Sequence, residues 1–111
     1  MRSYTTKWLT QRVTAILLIP LTFWFIYNCL IFVTMSYDQI YGFFASALNS
    51  FLFLIMMLSM LIHAKLGCET IVNDYIKLKK LKLINFLIIN LLIYTSMIVV
   101  SLSVLKIFLF S

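Results

Sequence analysis

The 111-residue sequence predicts an all-α integral membrane protein, a single domain (residues 1–111) formed as a bundle of three transmembrane helices. Three observations predict it. Hydrophobic residues make up 64% of the chain and charged residues only 11%, against the roughly 25% charge with which a soluble domain keeps its surface wet. The apolar residues gather into three long runs, and the mean hydropathy is +1.09. Two glycines and one proline leave little material for turns, which argues against a small β-barrel.

The first helix is expected at about residues 13–35, the second at 43–66 with an extension toward 75, and the third at 83–110. Each run exceeds the roughly 20 residues that cross about 30 Å of hydrocarbon at about 1.5 Å per residue. Backbone amides in lipid must pair within their own segment, so each run reads as a helix. Pro20 lies about two turns into the first and is expected to kink it. That run is too long for the apolar part of a signal peptide and no small-residue cleavage site follows it, so it reads as a retained span.

The links set an expected orientation. Arg2, Lys7 and Arg12 precede or open the first run; the link "SYDQIYG" (36–42) has no Lys or Arg; the second link, "IKLKKLK" (76–82), holds Lys77, Lys79, Lys80 and Lys82. By the positive-inside rule the N-terminus and second link face the cytoplasm or mitochondrial matrix, and the C-terminus lies on the opposite side. The formal charge of +6 is accounted for by these flanking cations, which meet anionic lipid head groups, so no nucleic-acid partner is expected. Cys29 and Cys68 are 39 positions apart with no metal or redox spacing and read as small apolar filler.

Polar groups at membrane depth are costly, so those present are expected to face a partner, a cofactor or a cavity. His63 is the only histidine, at the end of the second apolar run in "IHAKLGCETIVNDY" (62–75). It can serve as an interhelical hydrogen-bonding group or as a metal ligand. Ligation is favoured by Gly67, one turn away, which leaves a bare surface beside which a flat macrocycle would fit. Thr70 and Asp74 continue the same helical stripe, with Asp74 about 16 Å from His63 along the axis if the helix continues. Haem b held by two imidazoles needs two histidines. Methionine is the other possible second ligand, but Met56, Met57 and Met60 share the helix of His63 and cannot reach the opposite haem face; if haem is bound, the simpler inference is that a second subunit supplies the other ligand.

Asp74 and Tyr75 fall at the expected water–lipid boundary. They read either as a helix-end carboxylate and an aromatic-belt anchor, or as the proton relay and phenolic donor of a quinone pocket. Arg12 reads either as a snorkelling cation or as the partner of an anion such as a haem propionate, whose geometry suits a guanidinium fork. Trp8 and Trp24 read as interface or packing aromatics, Asn28, Asn49, Asn85 and Asn90 as interhelical glue, and Glu69 as solvated.

These residues resemble a known family. "HAKLGCETIVNDY" (63–75) resembles the His-x3-Gly-x6-Asp-Tyr signature of the cytochrome b556 family, the small membrane-anchor subunits of succinate dehydrogenase, respiratory complex II. "QRVTAILL" (11–18) resembles the start of that family's first helix and "GFFASAL" (42–48) the entry to its second. The resemblance implies that His63 is one axial ligand of haem b, and that a larger cytochrome b membrane-anchor subunit supplies the other. It also implies that Tyr75 hydrogen-bonds ubiquinone with Asp74 in the proton path, and that Arg12 lies near the haem propionates. An iron–sulfur subunit and a flavoprotein subunit would complete the enzyme at the inner membrane of a bacterium or mitochondrion, with no succinate chemistry in this chain. The other readings are the fumarate reductase anchor, which shares the architecture, and a small structural or pore-forming three-helix membrane protein.

Overall fold

In the computed structural model, which describes residues 4–110, the chain forms four helices: α1 (Tyr4–Phe32), α2 (Tyr37–Ala45), α3 (Ala47–Tyr75) and α4 (Lys79–Leu109). Arg2, one of the cations used to orient the chain, lies outside the described residues. α1, α3 and α4 have 29, 29 and 31 residues, or about 44–47 Å of helix each. All three are long and apolar enough to cross a membrane, and the molecule is elongated to match, 51 × 25 × 23 Å. No strand occurs among the described residues. The chain is a multi-pass membrane protein.

Exposure runs opposite to that of a soluble bundle. Ile16, Phe23, Phe51, Leu87 and Leu91 stand on the outside, whereas Thr14, Ser50 and Ser59 are buried alongside Met56, Leu66, Val72 and Val104. In lipid there is no hydrophobic force to draw large apolar side chains inward. Small residues let helix backbones approach, and the large ones face acyl chains. α3 is the hub, packed against both α1 and α4, while the short α2 lies against α3 and α4.

The helix bounds depart from the sequence reading at both links. α1 begins at Tyr4 rather than near Val13, so Lys7, Trp8 and Arg12 stand on its opening turns. Residues 4–12 contain no Gly or Pro to stop a helix, and the Thr10 hydroxyl donates to the Thr6 carbonyl at 2.8 Å. α1 continues through Pro20 to Phe32. The expected first link is the helix α2, begun by a capping box. The Gln39 backbone N–H donates to Ser36 Oγ at 3.3 Å and the Ser36 N–H donates to Gln39 Oε1 at 2.9 Å. Extended backbone at Ser46 separates α2 from α3, and the Ser50 hydroxyl donates back across this break to the Phe44 carbonyl. Aromatic rings brace the corner: Trp24 stacks on Phe43 at 5.9 Å, and Phe32 meets Phe43 edge-on at 4.9 Å.

The second link is only residues 76–78, since Lys79, Lys80 and Lys82 belong to the start of α4. Three cations oppose the positive end of the helix dipole, and Leu78 supplies no side-chain cap. The helix forms there because the apolar run that follows must be helical in lipid. Two polar expectations are corrected. Asn28 and Asn85 donate to carbonyls of their own helices, Trp24 and Leu81, each at 2.8 Å, rather than across helices. Glu69 is not solvated; its side chain is 13% exposed, with Oε2 3.9 Å from Lys65 Nζ.

Candidate functional site

Because α3 is unbroken from Ala47 to Tyr75, the stripe that begins at His63 stays on one face for its whole length. That face meets the first turns of α1, and the two helices enclose an open cleft of about 620 Å³. His63, Thr70 and Asp74 line it from α3, and Lys7, Trp8 and Arg12 from α1. With the helix continuous, His63 and Asp74 are separated by about 16 Å along the axis.

His63 is half-buried. Its Nδ1 lies 2.9 Å from Oγ1 of Thr14, a buried residue one turn from Gln11 on α1. Nε2 has no hydrogen-bond partner among the described residues. The Arg12 guanidinium sits over the Trp8 ring, 5.3 Å from its centroid, a cation–π contact that holds the charge at the rim. Lys7 adds a second cation, and Asp74 is the single carboxylate of the lining. Among the described residues no three His, Cys, Asp or Glu side chains gather as a metal cage.

Three of the four residues singled out in the sequence, His63, Arg12 and Asp74, thus share the cleft. Tyr75 does not: it is the last residue of α3, about a third of a turn from Asp74, and is 79% exposed outside the lining. Gly67 faces α1. A Cβ built there would meet Gln11 Nε2 at 3.9 Å, ordinary contact, so the bare surface is already covered by an amide. Sequence reasoning missed Thr14 and Gln11. Thr14 lies within the "QRVTAILL" stretch, but its partner is 49 positions away and no periodicity links them. Gln11, which lines the same cleft, keeps a buried Oε1 with no hydrogen-bond partner among the described residues.

Residues 1–104 match the family described as Succinate dehydrogenase/Fumarate reductase transmembrane subunit. The chain belongs to that family. Over 75 residues it is 33% identical to a protein of Rickettsia bellii (strain RML369-C) named succinate dehydrogenase hydrophobic membrane anchor subunit. The match covers 68% of this chain and 60% of that relative's length. In this transmembrane subunit of the succinate dehydrogenase/fumarate reductase family, the cleft gathers His63, Thr70 and Asp74 of α3 with Lys7, Gln11 and Arg12 of α1 at one end of their seam.

The donor set there fits half of a haem site. One imidazole nitrogen is engaged by Thr14 and the other has no hydrogen-bond partner among the described residues. Two cations at the rim match the two negative charges of haem propionates, and the open side of the cleft leaves room for a ligand from a second polypeptide.

Proposed function

We propose that the chain is a membrane-anchor subunit of a succinate dehydrogenase in the inner membrane, holding haem b jointly with a larger anchor subunit and helping to seat ubiquinone. The observation that carries this reading is the His63 imidazole, engaged through Nδ1 at the wall of a cation-rimmed cleft with no partner for Nε2 among the described residues, in a chain of this family. The direction of electron flow follows the naming of the Rickettsia bellii relative; the fumarate reductase anchor is the reverse case.

His63 would offer Nε2 to the haem iron, and Arg12 with Lys7 would pair with the propionates. Bound there, haem b supplies a one-electron store within the membrane domain. Arg12 suits the propionate role because its planar fork binds a carboxylate bidentately while its face stays on Trp8.

Reduction of a quinone to a quinol takes two electrons and two protons. The electrons would arrive from succinate by way of the flavoprotein and iron–sulfur subunits, which this chain tethers to the membrane. At the end of α3, the Tyr75 hydroxyl would donate a hydrogen bond to a quinone carbonyl and orient the ring. Asp74, facing the cleft, would pass protons from water to the oxygens. Tyr75 is exposed and not part of the cleft lining, so the quinone pocket would be completed by partner subunits against that outer surface.

The deciding experiment is a reduced-minus-oxidised spectrum of the assembled complex with His63→Ala. Loss or alteration of the b-haem bands is expected, and an unchanged spectrum would remove the ligand assignment.

A further inference from the structure

The Thr14 hydroxyl has one hydrogen and three neighbours at hydrogen-bonding distance. Its Oγ1 lies 2.9 Å from the Thr10 carbonyl oxygen, 3.1 Å from the Gln11 carbonyl oxygen and 2.9 Å from His63 Nδ1. Carbonyl oxygens only accept, so the hydrogen turns toward them, the usual back-bonding of a helical threonine. Oγ1 is then left to present a lone pair to His63. A neutral imidazole carries one N–H and one lone pair. The N–H is therefore at Nδ1 and the lone pair at Nε2. In the opposite tautomer the hydroxyl hydrogen would turn to Nδ1, leaving Oγ1 lone pairs against two carbonyl oxygens at 2.9 and 3.1 Å. Helix α1 thus sets the tautomer of a ring carried by α3.

On the haem reading above, on which this inference rests, we infer that Thr14 is a positioning residue that accepts the Nδ1–H of His63 and holds Nε2 as the metal-binding nitrogen. Three features suit it to that task. Thr14 is 5% exposed, so water has little access to replace it. Its hydroxyl is anchored to its own helix, so the acceptor direction is rigid. Its length is short, so the ring is held against α1 at the wall of the cleft rather than turning into it. An acceptor on the outer N–H of a ligating histidine fixes the ring orientation and makes the ring a stronger base, which favours the oxidised metal.

The test uses the whole complex, purified with its partner subunits. Thr14→Val keeps the branched shape and removes the acceptor. Haem affinity is expected to fall about tenfold, and the midpoint potential of the b-haem that remains is expected to move positive in a redox titration. Thr14→Ser keeps the hydroxyl and is expected to hold both properties at the parental values. A valine variant with parental haem affinity and midpoint would overturn the inference. Should the valine complex fail to assemble, serine is compared with alanine: a parental serine variant and a depleted alanine variant support the role, and equal behaviour overturns it. A parental complex without any b-type spectrum would instead remove the haem reading itself, and this shows before any Thr14 variant is made.

Discussion

Lys65 on α3 places its ammonium 3.4 Å from the Tyr94 hydroxyl on α4 and 5.3 Å from the centroid of the same ring. With Glu69 one turn further along α3, 3.9 Å from the same ammonium, this forms a charged cluster on the seam opposite the candidate site. Both charged side chains are nearly enclosed, 14% and 13% exposed, so neither is in the strongly screened setting of a surface pair. Removing one partner leaves the other charge uncompensated, which costs about 3 kcal/mol or more for a buried pair. Lys65→Met is therefore expected to lower the temperature at which the assembled complex dissociates in mild detergent. Lys65→Met combined with Glu69→Leu should recover most of that loss, because apolar replacement of a whole pair is close to neutral. Tyr94→Phe removes only the long hydroxyl contact and keeps the ring under the cation; its effect should stay below about 1 kcal/mol. A double variant no more stable than the single one would show that the pair is not coupled.

Gly67 tests where a macrocycle would lie. The nearest atom to an added Cβ is the end of a flexible glutamine at 3.9 Å, so Gly67→Ala should fold normally. It should gain up to about 1 kcal/mol from the lower backbone entropy of alanine in a helix. Gly67→Leu must displace Gln11 toward the cleft, and the b-haem content of the complex should fall. Full haem content in the leucine variant would place the macrocycle away from this part of α3.

Tyr75 and Asp74 are adjacent and both exposed, yet only Asp74 lines the cleft. Tyr75→Phe should reduce quinone reductase activity by about five- to tenfold, the worth of one hydrogen bond near 1 kcal/mol. It should leave assembly and the haem spectrum unchanged. Asp74→Asn removes the proposed proton relay and should lower activity by about a hundredfold. Parental activity in both variants would mean that the quinone is held elsewhere.

The candidate site was only partly legible in the chain. His63 and Asp74 could be paired from the sequence because eleven residues make nearly three turns, and the unbroken α3 keeps that register. Tyr75 could not be separated from Asp74 by adjacency alone. One residue is about 100° of helix, enough to move it out of the cleft. α2 was written in plain sight as Ser36–Gln39, a capping box, but a short polar segment between apolar runs reads as a loop until its reciprocal hydrogen bonds are seen.

The sequence by itself determined that the chain is helical and crosses the membrane three times. Apolar length and backbone pairing in lipid are properties of each segment alone. Only the tertiary structure decided which helices are neighbours, that Thr14 on α1 reaches His63 on α3, and that Glu69 is enclosed with Lys65 and Tyr94. Those relationships depend on the rotation of one helix against another, set by small residues at the contact. No local pattern along a uniformly apolar helix records that rotation.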